Sequence, residues 1–547
     1  MFVQGVANFL DDLMGGLQLA GLCVLIGGLA WGLGVLQAWR DAPGAPLAAL
    51  RRCIVVLRAG AWLLAAAQAL KFLAKLAVLA ATLGEVPLAR YAATVQFQAG
   101  VVRLVLAVAV ALAASRLAAA PASRRRWALI LVLAAPLAAS GAWLVHAVGR
   151  FDSRALLMTL TVVHQLAAAV WVGAVIQLFA LWRLALVDPE VRRLWPVVVA
   201  RFSPLGVASV SVLAASGIVL AWYYVGSWEG MLGTGYGSLA TAKVLLLALT
   251  LGFAGLNFRA GRRWLRDPGA ATVVTRVPYY IEAEALLLAS IVFVAATLSS
   301  QPPAVDIPAL TASLAEVLDM FAPKAPRLTS PTHEALLAGE AGRLAVIGRV
   351  PSSAATEWSD YNHNVAGVFL LGMGVIALAS YVRGWTWARY WPAGFVGLAI
   401  FLFFRSDAES WPLGPIGFWQ STLGNGEVLQ HRLATLLAFV LGIVETRARA
   451  SGAGERLPYV FPVLCALGGV LLVTHAHVPF EIKTDYLIQS THLVMGLLAV
   501  VMATGRWLEL RLGHAGAATQ SRAAGLVAVG AMLLIGGALL FYREPLY

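Results

Sequence analysis

Histidine is the residue type in this sequence with the clearest capacity for chemistry, because neutral imidazole binds zinc, copper and haem iron. Five of the nine histidines lie on four apolar segments in the last third of the chain, and those five are His363, His431, His475, His477 and His492. A lone buried histidine is more often a hydrogen-bonded structural residue than a ligand. Four segments that place imidazoles at similar depth favour a shared site, and we therefore predict these five as metal ligands.

Local spacing adds detail to this prediction. In a helix, residues i and i+2 such as His475 and His477 point about 200° apart and cannot share one metal. Pro479 predicts that the helix ends there, and an extended segment would place both rings on one face. Glu427 precedes His431 by four residues, so its carboxylate either orients the ring or is a solvated acid.

An earlier histidine, His164, is a sixth predicted metal ligand. It lies within a long apolar run, where an ionisable side chain is costly and usually has a functional reason. Met158 and His146 are its candidate partners in a separate site.

Composition requires a bilayer around the elements that carry these residues. The chain of 547 residues is 60% hydrophobic and 12% charged, and its mean hydropathy is +0.80. In a soluble protein a net charge of +13 would indicate binding to nucleic acid. Here the Lys and Arg residues fall mainly in short loops between apolar runs, where they determine the orientation of the chain in the membrane. We expect no nucleic-acid partner. The three cysteines form no CxxC pair, which excludes a disulfide framework and a thiolate metal motif.

Apolar runs long enough to span a membrane number about fourteen and predict an all-α polytopic integral membrane protein. They cover 13–37, 54–83, 92–115, 127–148, 155–182, 203–225, 239–258, 280–300, 361–382, 390–405, 428–446, 458–475, 485–507 and 523–542. The run at 390–405 is the shortest for a span. A polar segment, 301–360, divides an eight-helix domain (1–300) from a six-helix domain (361–547) and is predicted to be an external linker.

The loops alternate in charge. The first, third, fifth and seventh are rich in arginine, whereas the loops between them carry at most a pair of arginines. By the positive-inside rule, both chain termini then face away from the cytoplasm. This topology places every histidine except His514 toward the outer side of the membrane.

The segment 164–303 resembles the copper-resistance protein D family. The resemblance rests on HQLAAAVWVGA at 164–174, RFSPLGVASVSVLAASGIVLA at 201–221, YGSLATAKVLLLALTLGFAGLNFRAGRR at 236–263 and IEAEALLLASIVFVAATLSSQPP at 281–303. These stretches are similar to the family's RFS…SG, YG…K…N and E…PP features in order and spacing. The resemblance implies a bacterial inner-membrane protein that handles periplasmic copper, commonly alongside a small periplasmic copper-binding partner of the CopC type. In such a membrane both termini, which the loop charges predict outside the cytoplasm, are periplasmic. His164 matches the family's histidine in the first helix of this segment.

Two functions of different classes follow from these observations. The first is a copper transporter without enzymatic activity, which takes copper from the periplasm into or across the membrane through outer-face histidines. The alternative is a redox protein with haem b held by two histidines. Membrane cytochromes that carry electrons across a bilayer need haem ligands near both faces, whereas the candidates here lie near one. A copper-storage scaffold is a third possibility.

Overall fold

The computed structural model describes residues 4–37, 44–340, 352–381, 385–450, 454–474 and 482–545. About 85% of the structure is helical, and the described ranges contain no β-strand, which confirms the all-α prediction. The α-helices are α1 (Gln4–Trp31), α2 (Ala45–Leu83), α3 (Leu88–Ala92), α4 (Val95–Ala119), α5 (Arg124–Ala139), α6 (Arg154–Ala185), α7 (Pro189–Tyr224), α8 (Trp228–Leu232), α9 (Gly235–Arg266), α10 (Thr272–Thr275), α11 (Val277–Leu298), α12 (Leu314–Phe321), α13 (His333–Glu340), α14 (Ser353–Ala379), α15 (Gly394–Arg405), α16 (Phe418–Gly424), α17 (Gly426–Arg449), α18 (Val460–Val473), α19 (Ile482–His514) and α20 (Ala518–Leu540).

Thirteen helices in the described part of the chain are long and apolar enough to cross a membrane. The structure therefore is that of a multi-pass membrane protein, as predicted. The run predicted at 458–475 forms a shorter apolar helix, Leu457–Val473, which accounts for the difference from fourteen. The short run at 390–405 reaches spanning length because a 3-10 segment, Thr386–Ala393, continues into α15.

The chain forms two compact units. The first unit comprises residues 10–226 and 245–300, and the second comprises 1–9, 227–244 and 301–547. The segment 227–244 thus groups with the second unit although it lies early in the chain. The predicted domain boundaries at 300 and 360 remain predictions.

Tight helix contacts define the first unit. Its core contains four tryptophans that are at most 2% exposed, namely Trp31, Trp127, Trp171 and Trp195. A Cβ atom on Gly173 of α6 would collide with the backbone of α1 at Cys23 and Gly27. Membrane helices approach this closely where small residues remove the side chain from the interface. The contact fixes the position of α6, which carries His164.

Local signals set the ends of the neighbouring helices. Asp188 accepts hydrogen bonds from the amides of Glu190 and Val191, and Pro189 occupies the first turn of α7. An acidic N-cap followed by proline is a strong helix start because it satisfies amides that have no intrahelical acceptor. The loop after α6 therefore reverses sharply, and α7 packs back along α6.

The second unit is built around α20, which packs against both α14 and α19. A Cβ on Gly367 of α14 would collide with the backbone of α20 at Leu540, and one on Gly536 of α20 would collide with the backbone of α14 at Leu371. These two glycines let the helices touch along their backbones. The end of α20 consequently lies close to Gly367, near the middle of α14.

The described part of the predicted linker contains two short 3-10 turns, two complete α-helices, α12 and α13, and the start of α14. A capping box starts α12, since the Ser313 hydroxyl accepts from the Glu316 amide and the Glu316 carboxylate accepts from the Ser313 amide. Met320 of α12 is buried in one cluster with Tyr486, Leu487 and Tyr542. This stretch is therefore packed structure within the second unit.

Candidate metal-binding site

His363 of α14 and His492 of α19 lie in contact in the second unit. Their ring centroids are 5.5 Å apart with an interplanar angle of 82°. The ring of Tyr542, directly after α20, lies 4.4 Å from His363 and 6.3 Å from His492. Two of the predicted ligands that are far apart in sequence are thus neighbours in the fold. We refer to them as the imidazole pair.

Hydrogen bonds fix the tautomer of both rings. The Nδ1 of His363 is 2.9 Å from the carbonyl oxygen of Ser359, and the Nδ1 of His492 is 2.9 Å from that of Ile488. Because a carbonyl oxygen only accepts, each Nδ1 carries the proton and each Nε2 carries the lone pair. Two nitrogens that share a metal at about 2.0–2.1 Å each lie no more than about 4 Å apart. Rings with centroids 5.5 Å apart can bring their Nε2 atoms to that separation.

The residues after α20 hold Tyr542 against the pair. Asn364, which is fully buried, donates from Nδ2 to the carbonyl oxygens of Leu539 and Tyr542, both at 3.0 Å. The carboxylate of Asp360 pairs with Arg543 at 2.8 Å and accepts from the amide of Glu544 at 2.9 Å. We call Tyr542–Glu544 the C-terminal strap. Its two anchors flank His363 on α14, so the strap and the pair are positioned together.

His431 of α17 has a different partner. Its Nδ1 lies 2.8 Å from Oδ1 of Asp407, in the loop after α15. Glu427, the carboxylate considered from sequence, therefore is not the one in this hydrogen bond. The described contacts place His431 beside Asp407, and its convergence with the imidazole pair remains a prediction.

His475 and His477 lie outside the described residues. Among the residues that the structure describes, no group of three or more His, Cys, Asp or Glu side chains could hold a metal ion. The described geometry is therefore that of a two-imidazole site, and a contribution from His475 and His477 remains a prediction.

In the first unit, His164 is hydrogen bonded to α7. Its Nδ1 lies 3.0 Å from Oγ of Ser216, whose hydroxyl lies 2.6 Å from the carbonyl oxygen of Val212. The hydroxyl proton belongs to that shorter bond, so Ser216 accepts from Nδ1–H and Nε2 of His164 carries the lone pair. A Cβ on Gly217 would lie 3.1 Å from Cε1 of His164, so this glycine makes room for the ring. Its pairing with Met158 or His146 remains a prediction.

The first unit also contains a buried carboxyl group that was not predicted as a site residue from sequence. Glu284 of α11 is 2% exposed and accepts hydrogen bonds from Trp171 Nε1 at 3.1 Å and Asn257 Nδ2 at 2.9 Å. The sequence does contain a signal for this residue: Glu284 is an acidic residue inside an apolar run, and such residues in membrane helices commonly have a function.

Comparison with known proteins links the first unit to one family. Residues 196–298, which are 103 of the 547, match the family model described as copper resistance protein D. The match includes Ser216, Asn257 and Glu284. No curated protein and no solved structure matches the chain. The match supports copper and gives no support to the haem alternative.

Proposed function

Since residues 196–298 of this multi-pass membrane protein match the copper resistance protein D family, we propose that the protein binds copper ions at the imidazole pair and moves them into or across the membrane. The observation that carries the proposal is the contact of His363 and His492, 5.5 Å apart, with both Nδ1 atoms bonded to carbonyl oxygens. This arrangement brings two imidazoles from two helices into contact, each with its lone pair on Nε2. Copper is the cargo here and not a resident cofactor.

The donor set suits copper. Imidazole binds copper in both common oxidation states, and two imidazoles are sufficient for linear coordination of Cu(I). The three cysteines are buried without a thiolate pair to compete for the ion. A site with two protein ligands keeps coordination positions open, as sites that exchange their ligands do. Such a site favours transfer of an ion over permanent storage.

Further copper ligands are part of the proposal. We propose His431, His475 and His477 as additional donors at the site of the imidazole pair, and His164 as a copper ligand of a separate site in the first unit. The proposed location is the bacterial inner membrane with the pair facing the periplasm. A small periplasmic copper-binding protein of the CopC type is the proposed donor of the ion, and the movement of copper requires no enzymatic reaction.

A copper titration of the full-length protein in lipid nanodiscs tests the proposal. Replacing His492 by Ala removes one of two ligands, and we expect copper affinity to fall by at least about 100-fold, more than is common for a supporting residue. His514→Ala is the matched control, because His514 ends the same helix α19 and is exposed. We expect His514→Ala to bind copper as the wild type does.

Two results would contradict the proposal. One is unchanged copper affinity in both His363→Ala and His492→Ala. The other is a Soret band in the purified protein that disappears in those variants, which would assign the pair to haem. Copper uptake into proteoliposomes, measured with the same variants, separates binding from movement.

A further inference from the structure

Glu284 lies in the interior of the first unit with neutral hydrogen-bond donors around it. Trp171 reaches it from α6 and Asn257 from α9. These are the polar groups that face the carboxyl from the helices packed on α11, and no charged side chain of the described residues contributes an electrostatic interaction to it. An isolated carboxylate in a low-dielectric interior is costly unless a proton or an opposite charge neutralises it. The surroundings of Glu284 thus provide no fixed cation that would keep it permanently ionised.

The amide of Asn257 is suited to both protonation states of this carboxyl. Its Nδ2 donates to Oε2 of Glu284, while its Oδ1 is buried without a hydrogen-bond partner among the described residues. Asn257 itself is 9% exposed, so water does not readily satisfy that oxygen. If Oε2 binds a proton, rotation of the amide by about 180° brings Oδ1 into position to accept from the new O–H. Trp171 donates to Oε1 in both states.

A proton fits this site better than a metal cation does. Both carboxyl oxygens of Glu284 already face N–H donors, whose hydrogens would repel a cation at the same oxygens. A proton needs only one oxygen and one acceptor, and Asn257 Oδ1 is that acceptor. We propose that Glu284 is a proton-binding site in the membrane interior and that rotation of the Asn257 amide accompanies proton binding and release.

The position of the site relates it to the family segment. Asn257 and Glu284 lie within the matched residues 196–298. Trp171 follows His164 by seven residues on α6, so the two side chains share a face about 10 Å apart at 1.5 Å per residue. Glu284 is not among the proposed copper ligands, so its test uses no copper.

Infrared difference spectroscopy of the full-length, copper-free protein in lipid nanodiscs, recorded across a pH titration, tests the proposal. The wild type should show the carbonyl band of a protonated carboxylic acid that appears and disappears with pH. Glu284→Gln should lose this band. Glu282→Gln is the matched control, since Glu282 is buried two residues away on the same helix, and the band should persist there.

Two further variants keep the test decisive if Glu284→Gln does not fold. Trp171→Phe and Asn257→Leu each remove one hydrogen-bond partner of the carboxyl, and each should move the frequency of the band. A band that is the same in wild type and Glu284→Gln overturns the proposal, as does a band that neither Trp171→Phe nor Asn257→Leu shifts. A band that responds to sodium concentration instead of pH would assign the site to a metal cation and overturn it too.

Discussion

Replacing Asn364 by Leu should weaken both the fold of the second unit and its proposed copper site. The side chain is fully buried and makes three hydrogen bonds to backbone groups: two donated to Leu539 and Tyr542, and one accepted from the amide of Arg327 at 2.6 Å. Leucine has a similar volume but neither donates nor accepts. The C-terminal strap would lose one of its two anchors, the one next to His363.

The expected magnitude follows from the number of bonds. A hydrogen bond contributes a net ~1 kcal/mol to stability, and more where a buried partner is left unsatisfied. Three bonds therefore amount to a loss of about 3 kcal/mol in the free energy of unfolding. The two rings of the imidazole pair keep their own Nδ1 bonds to carbonyl oxygens of α14 and α19. Copper affinity should consequently fall by only about 10-fold, as when a supporting residue of a metal site is lost.

The assay is equilibrium unfolding in mixed micelles, paired with a copper titration of the same preparation. Asn362→Leu is the matched control: Asn362 lies on the same helix, is 8% exposed, and exchanges two hydrogen bonds with Arg405. We expect it to lose about 2 kcal/mol of stability with unchanged copper affinity. If the two variants weaken copper binding equally, or if Asn364→Leu leaves stability unchanged, the assigned role of the C-terminal strap is wrong.

Three further predictions concern stability. The Glu316 carboxylate is hydrogen bonded to the ammonium group of a lysine on α19 and to the cap of its own helix, and these bonds lower its pKa from 4.5 to about 2. Its contribution to stability is therefore fully present above pH about 4.5 and is lost as the pH falls toward about 2. Hydrogen exchange of α12 should show this loss of stability in the wild type but not in Glu316→Gln. Gly367→Ala should lower the free energy of unfolding by about 1–3 kcal/mol, because the new Cβ meets the backbone of α20. Gly372→Ala on the same helix is the control: its Cβ meets nothing within 4 Å, so the change should be neutral or stabilising. Equal effects of the two substitutions would contradict the close packing of α14 on α20. Ser216→Ala removes the acceptor of the His164 ring and should lower the free energy of unfolding by about 0.5–1.5 kcal/mol; unchanged stability would show that this bond contributes nothing.

Sequence patterns predicted the helices well because length and apolarity are local properties. Thirteen of the predicted spans have spanning length, and the remaining one, 458–475, forms the shorter helix Leu457–Val473. The family resemblance was likewise readable, since its features lie within one segment, and the match at 196–298 confirms it.

The site was only partly accessible to sequence reasoning. Depth in the membrane brought His363 and His492 under consideration together, but it could not show that Tyr542 packs on them, because that contact depends on where α20 ends relative to α14. Asp407 was missed at His431 for a similar reason: an i,i+4 neighbour is visible in sequence, whereas a partner 24 residues away is not. Glu284 was overlooked although a carboxyl in an apolar run is itself a signal.

X-ray absorption at the copper edge tests the central claim most directly. Copper-loaded full-length protein should show imidazole nitrogen neighbours at about 2.0 Å, and this signal should be lost or reduced in number when His363 and His492 are both replaced by Ala. The His514→Ala protein, treated in the same way, should give the wild-type spectrum. An unchanged nitrogen shell in the double variant would place copper elsewhere and contradict the account.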